Sequence, residues 1–249
     1  MIVHRRTCSR TRCCRLQVCA WWLKTDHIDT ERYARWQATL DASERDHARR
    51  FFFEHDRREF VACHALLRSK LSSLASASPA EWTFSVDSYG KPRLAPEHGL
   101  PDLQFSISHT RGVVAVAVAW RHPVGIDVER IGASSDHQDL ASRHFAAAEV
   151  ELLRRTPAPE RPRVFTRLWT LKEAYLKATG LGLSEPLDGF AFELDPVHVI
   201  FGPKVPDRPN AWRFATSFVG PRHILSLALR MPGEERLPIS IEEVGAEDL

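Results

Sequence analysis

The sequence predicts an α+β protein built from two similar α/β halves, with a site in the crevice where they meet. Three observations lead there. Segments with a helical spacing of apolar residues are interleaved with short runs rich in valine, isoleucine and alanine, as buried strands are. The stretch WRFATSFVGPRHILSLALR (212–230) echoes LQFSISHTRGVVAVAVAW (103–120) in its order of strand, tight turn and apolar strand, the sign of a weak internal duplication. A length of 249 residues with 43% hydrophobic content suffices for one large core or two small ones. The organisation expected is a basic extension over 1–15, an N-terminal half over 16–122 and a C-terminal half over 123–249.

The extension MIVHRRTCSRTRCCR holds five arginines, three of the five cysteines and no acid, so a disordered segment is expected there. Cys8, Cys13, Cys14 and Cys19 follow the spacing C-x4-C-C-x4-C, which lacks the C-x2-C knuckle of zinc sites, so no zinc is expected. The one apolar stretch after the basic start, Leu16 to Leu23, is interrupted by Gln17 and ends in Lys24, which argues against export. No run approaches the roughly eighteen apolar residues of a membrane span. The expectation is a soluble cytoplasmic protein with reduced thiols. A formal net charge of +2 gives no bulk attraction to nucleic acid or membrane.

Along the chain, Leu16 to Lys24 reads as a strand. Asp41 and Glu44 have the spacing of a helix cap and its reciprocal acid, and apolar residues from Phe52 to Leu74 follow the helical period, predicting one long helix up to Pro79. Trp82 to Val86 is a short strand, and Ser88-Tyr89-Gly90-Lys91-Pro92 is a turn. Phe105 to His109 and Val113 to Trp120 are strands joined tightly, and Val124 to Glu129 is another. A polar loop runs through about residue 140. Helices are predicted over 146–155 and 161–179, the second ended by Gly180 and Gly182, and further strands over 190–194, 212–219 and 223–230.

Asp127 and Glu129 stand two apart in a strand, so both carboxylates face one side while Ile126 and Val128 face the other. Paired hard oxygen ligands suit magnesium, which keeps water and substrate phosphate in its remaining positions. In the helix WTLKEAYLK, Glu173 and Lys177 share a face at i and i+4. Glu173 can complete a three-carboxylate site and Lys177 can neutralise a phosphate beside it. Ser108 and His109 end a strand at a turn whose backbone N–H groups can also bind an anion; as chain neighbours they do not have the geometry of a hydrolytic nucleophile pair. Arg49, Arg50, Arg57 and Arg58 offer guanidinium forks to phosphate, and Lys91 lies in a turn able to approach the same anion. Read singly, the carboxylate pair is better explained as solvated acids and the Glu173–Lys177 pair as a surface ion pair, and the signal lies in the constellation.

Taken in order, R-R-F around Phe51, L-L-R-S ending at Ser69, Y-G-K-P at Tyr89 to Pro92, F-S-I-S-H-T at Phe105 to Thr110, G-I-D-V-E at Gly125 to Glu129 and W-T-L-K-E-A-Y-L-K followed by G-L-G-L-S resemble the Sfp-type 4'-phosphopantetheinyl transferases over roughly 16 to 230. The resemblance implies the fold of that family, two pseudo-symmetric α/β halves with coenzyme A bound between them. It implies Asp127, Glu129 and Glu173 as ligands of magnesium on the coenzyme A diphosphate, with Lys177 and Lys172 contacting coenzyme A. It also implies Ser108, His109, Arg50 and Arg58 around the 3'-phosphate and Lys91 near the adenine. Where lysines are often found ahead of Arg49 and Arg50, this chain has Glu44 and His47.

The reaction implied is attack of a carrier-protein serine on the β-phosphorus of coenzyme A, with Glu173 as general base, directly or through a water, and Lys177 assisting. The partner is an acyl or peptidyl carrier protein, with Arg143 and His144 ahead of Phe145 as its expected dock and a monomer as the expected state. Two other readings remain: a magnesium-dependent phosphodiesterase or nuclease, and a non-enzymatic nucleic-acid-binding module, which leaves the carboxylates without a role.

Overall fold

The computed structural model describes residues 17–132, 137–182, 185–233 and 236–249. The basic extension, with Cys8, Cys13 and Cys14, lies outside them, as do Leu183 and Ser184 of the G-L-G-L-S motif. Two compact units emerge, the first from residues up to His122 together with Arg236–Leu249, the second from Pro123–Glu235.

The first unit opens with strand β1 (Val18–Lys24), followed by helices α1 (Thr30–Thr39), α2 (Ala42–Arg49) and α3 (Glu54–Leu74). A small hairpin, β2 (Phe84–Val86) and β3 (Pro92–Leu94), precedes a longer one, β4 (Leu103–Thr110) and β5 (Val113–Trp120). The sequence VVAVAVAW explains how the helices seat on the sheet. Alternate residues of a strand face opposite ways, so Val114, Val116 and Val118 join Trp21, Leu23 and Phe105 under Val61, Leu67 and Leu71 of α3, while Ala115, Ala117 and Ala119 are buried on the other face. Each such fully buried branched side chain contributes about 1.5–3 kcal/mol.

The second unit repeats this order of elements. Strand β6 (Val124–Arg130) is followed by helices α4 (His137–His144), α5 (Ala147–Arg155) and α6 (Arg161–Thr179), a small hairpin of β7 (Phe190–Leu194) and β8 (Val197–Phe201), and a longer hairpin of β9 (Trp212–Phe218) and β10 (His223–Arg230). Its sheet order, β6-β10-β9, matches β1-β5-β4 of the first unit. The duplication expected from the two hairpins therefore extends to whole halves. α6 begins with Pro162 in its first turn and ends at Gly180, whose φ of 77° closes the helix in the left-handed conformation.

Strand β11 (Ile239–Glu243) departs from the expected organisation. It pairs in parallel with β1, Val18 opposite Ile239, and Lys24 reaches Glu243 at 2.7 Å. Residues 236–249 thereby pack with the first unit, although 123–249 was expected to form one half. The single long helix expected before Pro79 is also corrected. The capping box of Asp41 and Glu44 is present, but α2 stops at Arg49 and α3 starts at Glu54. Phe51 turns in against His47 and Phe60 at ring distances of 5.5 Å, leaving Phe52 and Phe53 exposed, so tertiary packing breaks the helix where neither Gly nor Pro does. Helices α1 and α4 were not expected. The cap of α1 is nonetheless written in the sequence: Asp29 accepts from the Arg32 N–H at 2.7 Å.

Candidate active site

The second unit brings two of the expected carboxylates, Asp127 and Glu173, and Lys177 together through one glycine. Gly125, Asp127 and Glu129 share the face of β6 that meets α6. A Cβ on Gly125 would lie 2.0 Å from the Ala174 carbonyl oxygen and 2.5 Å from the Ala178 nitrogen, so the helix rests directly on the strand backbone. Close seating lowers the outer face of α6 toward Asp127. Lys177 donates to the Asp127 Oδ1 at 2.7 Å, with Asp127 buried and Lys177 half-buried. Glu173, one turn earlier, is half-buried; burial and then the neighbouring Asp127 carboxylate push its pKa up, while Lys177 pulls it down.

The row across the sheet below is polar as well. Asp127 stands opposite Ser226 of β10, which stands opposite Thr216 of β9. Thr170 of α6 and Ser226 share a buried hydrogen bond of 2.7 Å, and the Ser226 hydroxyl donates to the Thr216 hydroxyl at 3.3 Å. These hydroxyls carry no sequence motif, so nothing in the sequence alone marks them. The opposite face of β6 and β10 is apolar, with Ile126, Val128, Leu225 and Leu227 all buried.

Among the described residues, no group of three or more His, Cys, Asp or Glu side chains is gathered closely enough to hold a metal ion. The donor set nevertheless fits a hard divalent cation: all carboxylate oxygen, with two of its members, Asp127 and Glu173, repelling one another in a half-buried place. Glu129 follows on the same face and is half-buried.

Lys172 has a different role from the one implied. It is 0% exposed, pairs with the buried Glu149 at 2.8 Å and donates to the carbonyls of Leu187 at 2.7 Å and Phe190 at 2.6 Å. Glu149 in turn accepts from the backbone N–H of Ala146 and of Phe192. An ammonium so enclosed binds α6 to the start of α5 and to β7 and cannot reach a dissolved ligand, so the assignment of Lys172 to coenzyme A is corrected.

In the first unit, strand alternation sends Ser108 and His109 to opposite faces of β4, the serine side buried and the histidine half-buried on the side of α3. The turn after them is partly occupied: the Gly112 N–H donates to the buried Glu59 Oε1 at 2.8 Å, which removes it from the anion-binding groups expected there. Arg58 donates to the Ile28 carbonyl and lies 5.0 Å over the Tyr33 ring, so it ties α3 to the start of α1. Arg50, at the end of α2, is exposed, whereas Arg49 pairs with Asp46 at 2.9 Å. Glu44 points inward as the partner of the fully buried Arg68. Lys91 sits in the β2–β3 turn, where burial, reinforced by Arg93, pushes its pKa down to about 8. Arg143 and His144 are exposed at the end of α4 beside the partly exposed Leu140, while Phe145 is buried in the core and is no part of a docking surface.

Two family models match consecutive stretches of the chain: "4'-phosphopantetheinyl transferase, N-terminal" over residues 28–121 and "4'-phosphopantetheinyl transferase superfamily" over residues 123–227. The chain is similar to the 4'-phosphopantetheinyl transferase HetI of Nostoc sp. strain PCC 7120, 40% identical across 59% of this chain and 62% of that one. A 4'-phosphopantetheinyl transferase of Bacillus subtilis is 34% identical across 66% of this chain and 71% of its own. The 4'-phosphopantetheinyl transferase Sfp of Bacillus subtilis strain 168 is 29% identical across 87% of this chain and 95% of its own.

Proposed function

Because the chain belongs to the 4'-phosphopantetheinyl transferase family, we propose that it transfers the 4'-phosphopantetheine group of coenzyme A to a serine of an acyl or peptidyl carrier protein, releasing adenosine 3',5'-bisphosphate. The observation that carries the reading is the seating of α6 on Gly125, which puts Glu173 and Lys177 beside Asp127. The phosphodiesterase reading would use the same carboxylates but lacks the family relationship, and the nucleic-acid reading leaves them without a role.

In this reading Asp127, Glu129 and Glu173 hold magnesium, which when bound neutralises the diphosphate and stabilises charge on the departing phosphate. Lys177 adds a fixed positive charge on the same side, oriented by Asp127. The serine oxygen forms its bond to the β-phosphorus as the bond from that phosphorus to the bridging oxygen breaks. Glu173 takes the serine proton. Arg50, His109, Ser108 and Lys91 are the residues of the first unit assigned to the nucleotide end of coenzyme A, with Arg58 as a support for α3. Arg143 and His144 face the carrier protein.

No helix among the described residues is long and apolar enough to cross a membrane. The reaction is tested by chromatographic measurement of adenosine 3',5'-bisphosphate in mixtures of enzyme, coenzyme A and magnesium with and without apo carrier protein. Release that depends on the carrier supports transfer; equal release without it points to hydrolysis.

A further inference from the structure

The polar seat beneath α6 does more than fill space. Three small residues of the sheet, Gly125, Ser226 and Ala228, lie on the face that receives α6: Gly125 pairs with Ala228 and Asp127 with Ser226 across β6 and β10. Above them the helix presents Ala174, Ala178 and Thr170. Small residues facing small residues permit close approach, but they also permit sliding, because methyl and backbone surfaces have no direction. The hydrogen bond between Thr170 and Ser226 supplies one. It is buried, so breaking it leaves hydroxyls without water to compensate. The Ser226 hydroxyl donates in turn to the Thr216 hydroxyl at 3.3 Å, so the hydrogen of the buried bond comes from Thr170 and the pin continues into the next strand.

Thr170 stands three residues before Glu173 and seven before Lys177, on the same helical face. Ser226 stands opposite Asp127 on the neighbouring strand. The pin therefore joins the two backbones one step away from the place where their charged side chains meet. We propose that Thr170 and Ser226 are positioning residues, which touch no substrate but fix the register of α6 over the Gly125 notch and with it the separation of Glu173 and Lys177 from Asp127. The inference rests on the transfer reading for its catalytic consequence, while its structural content stands on the hydrogen bonds alone.

The test compares Thr170→Val, Thr170→Ser, Ser226→Ala and the double variant Thr170→Val/Ser226→Ala with the wild type. Steady-state transfer is measured alongside hydrogen–deuterium exchange of residues 173–179 and thermal unfolding. Thr170→Val and Ser226→Ala are each expected to lower kcat about tenfold with KM for carrier and coenzyme A within about twofold, since a small misplacement of catalytic groups acts on the chemical step. Thr170→Ser, which keeps the hydroxyl, is expected to retain wild-type turnover. The double variant should be no slower than the slower single one, because both remove the same bond. Exchange over 173–179 should quicken in Thr170→Val and not in Thr170→Ser. Wild-type turnover in Thr170→Val, equal loss in Thr170→Ser, or multiplying losses in the double variant would overturn the proposal. If the wild type itself transfers nothing, the transfer reading fails, and the exchange of the two Thr170 variants still decides whether the pin sets the seat of α6.

Discussion

Replacing Gly125 by alanine puts a methyl group into the narrowest place in the second unit. The added carbon would stand 2.0 Å from the Ala174 carbonyl oxygen, far inside ordinary van der Waals contact, and that oxygen belongs to backbone that no rotamer change can move. Gly125 does not adopt the left-handed conformation, so alanine is barred by space alone. Relief requires α6 to lift from β6 by about 1 Å. A shift of that size at a reacting centre costs on the order of a hundredfold in rate, and forcing a methyl into a filled interior costs about 1–3 kcal/mol of stability. The expected variant is therefore folded, with an unfolding midpoint lowered in urea, and turns over about a hundredfold more slowly at little-changed KM for coenzyme A. Carrier modification followed by mass gives the rate, and urea titration gives the stability. A Gly125→Ala protein with wild-type kcat would refute the argument that backbone contact between α6 and β6 sets the site.

Lys172→Met breaks a fully buried pair and leaves Glu149 without its cation, so a loss of about 3–5 kcal/mol in urea unfolding is expected; the folded fraction should still bind coenzyme A as the wild type does by calorimetry, and a selective loss of binding would return Lys172 to the ligand. For Lys91, with a pKa of about 8, the charge is present below that pH and fades above it. Coenzyme A affinity should accordingly weaken from pH 7 to pH 9 in the wild type and stay flatter in Lys91→Met, and parallel profiles would remove Lys91 from the anion site. His64 is mostly buried beside Phe60, and loss of solvent pushes its pKa down to about 4, so the unfolded chain takes up its proton first. Stability is intact above about pH 6.5 and is lost as pH falls toward 4, by roughly 3 kcal/mol at most. His64→Gln should flatten that part of the acid limb of stability against pH, and an unchanged limb would show that other groups drive it.

Most of what periodicity controls was legible in the sequence. The strands over Val113 to Trp120 and Val124 to Glu129 and the helix over 161–179 carry strong patterns and clear terminators, and the hairpin echo revealed the two halves. What escaped depends on tertiary contact. The interruption at Phe51 has no breaker residue, and β11 is five residues that acquire meaning only against β1 at the other end of the chain. At the site, the acid spacing in G-I-D-V-E and the Glu173–Lys177 interval were readable as shared faces. The opposite destinies of the two lysines in one helix motif were not: Lys172 and Lys177 differ by five positions, enough to turn one into the core and the other to Asp127. Arg58 likewise looks like a phosphate ligand in sequence and serves as a brace across Tyr33 in the fold. The physical reason for Gly125 emerged only with the helix lying on it.

The central claim, that the Asp127 cluster serves phosphopantetheine transfer, is tested most directly by intact-mass analysis of an apo carrier protein incubated with coenzyme A and magnesium and either the wild type or Asp127→Ala. A gain of one phosphopantetheine mass with the wild type, absent when magnesium is chelated and absent with the variant, is the predicted result. An unchanged carrier mass with several unrelated carriers, while the wild type binds coenzyme A, or an equal gain with Asp127→Ala, would contradict it.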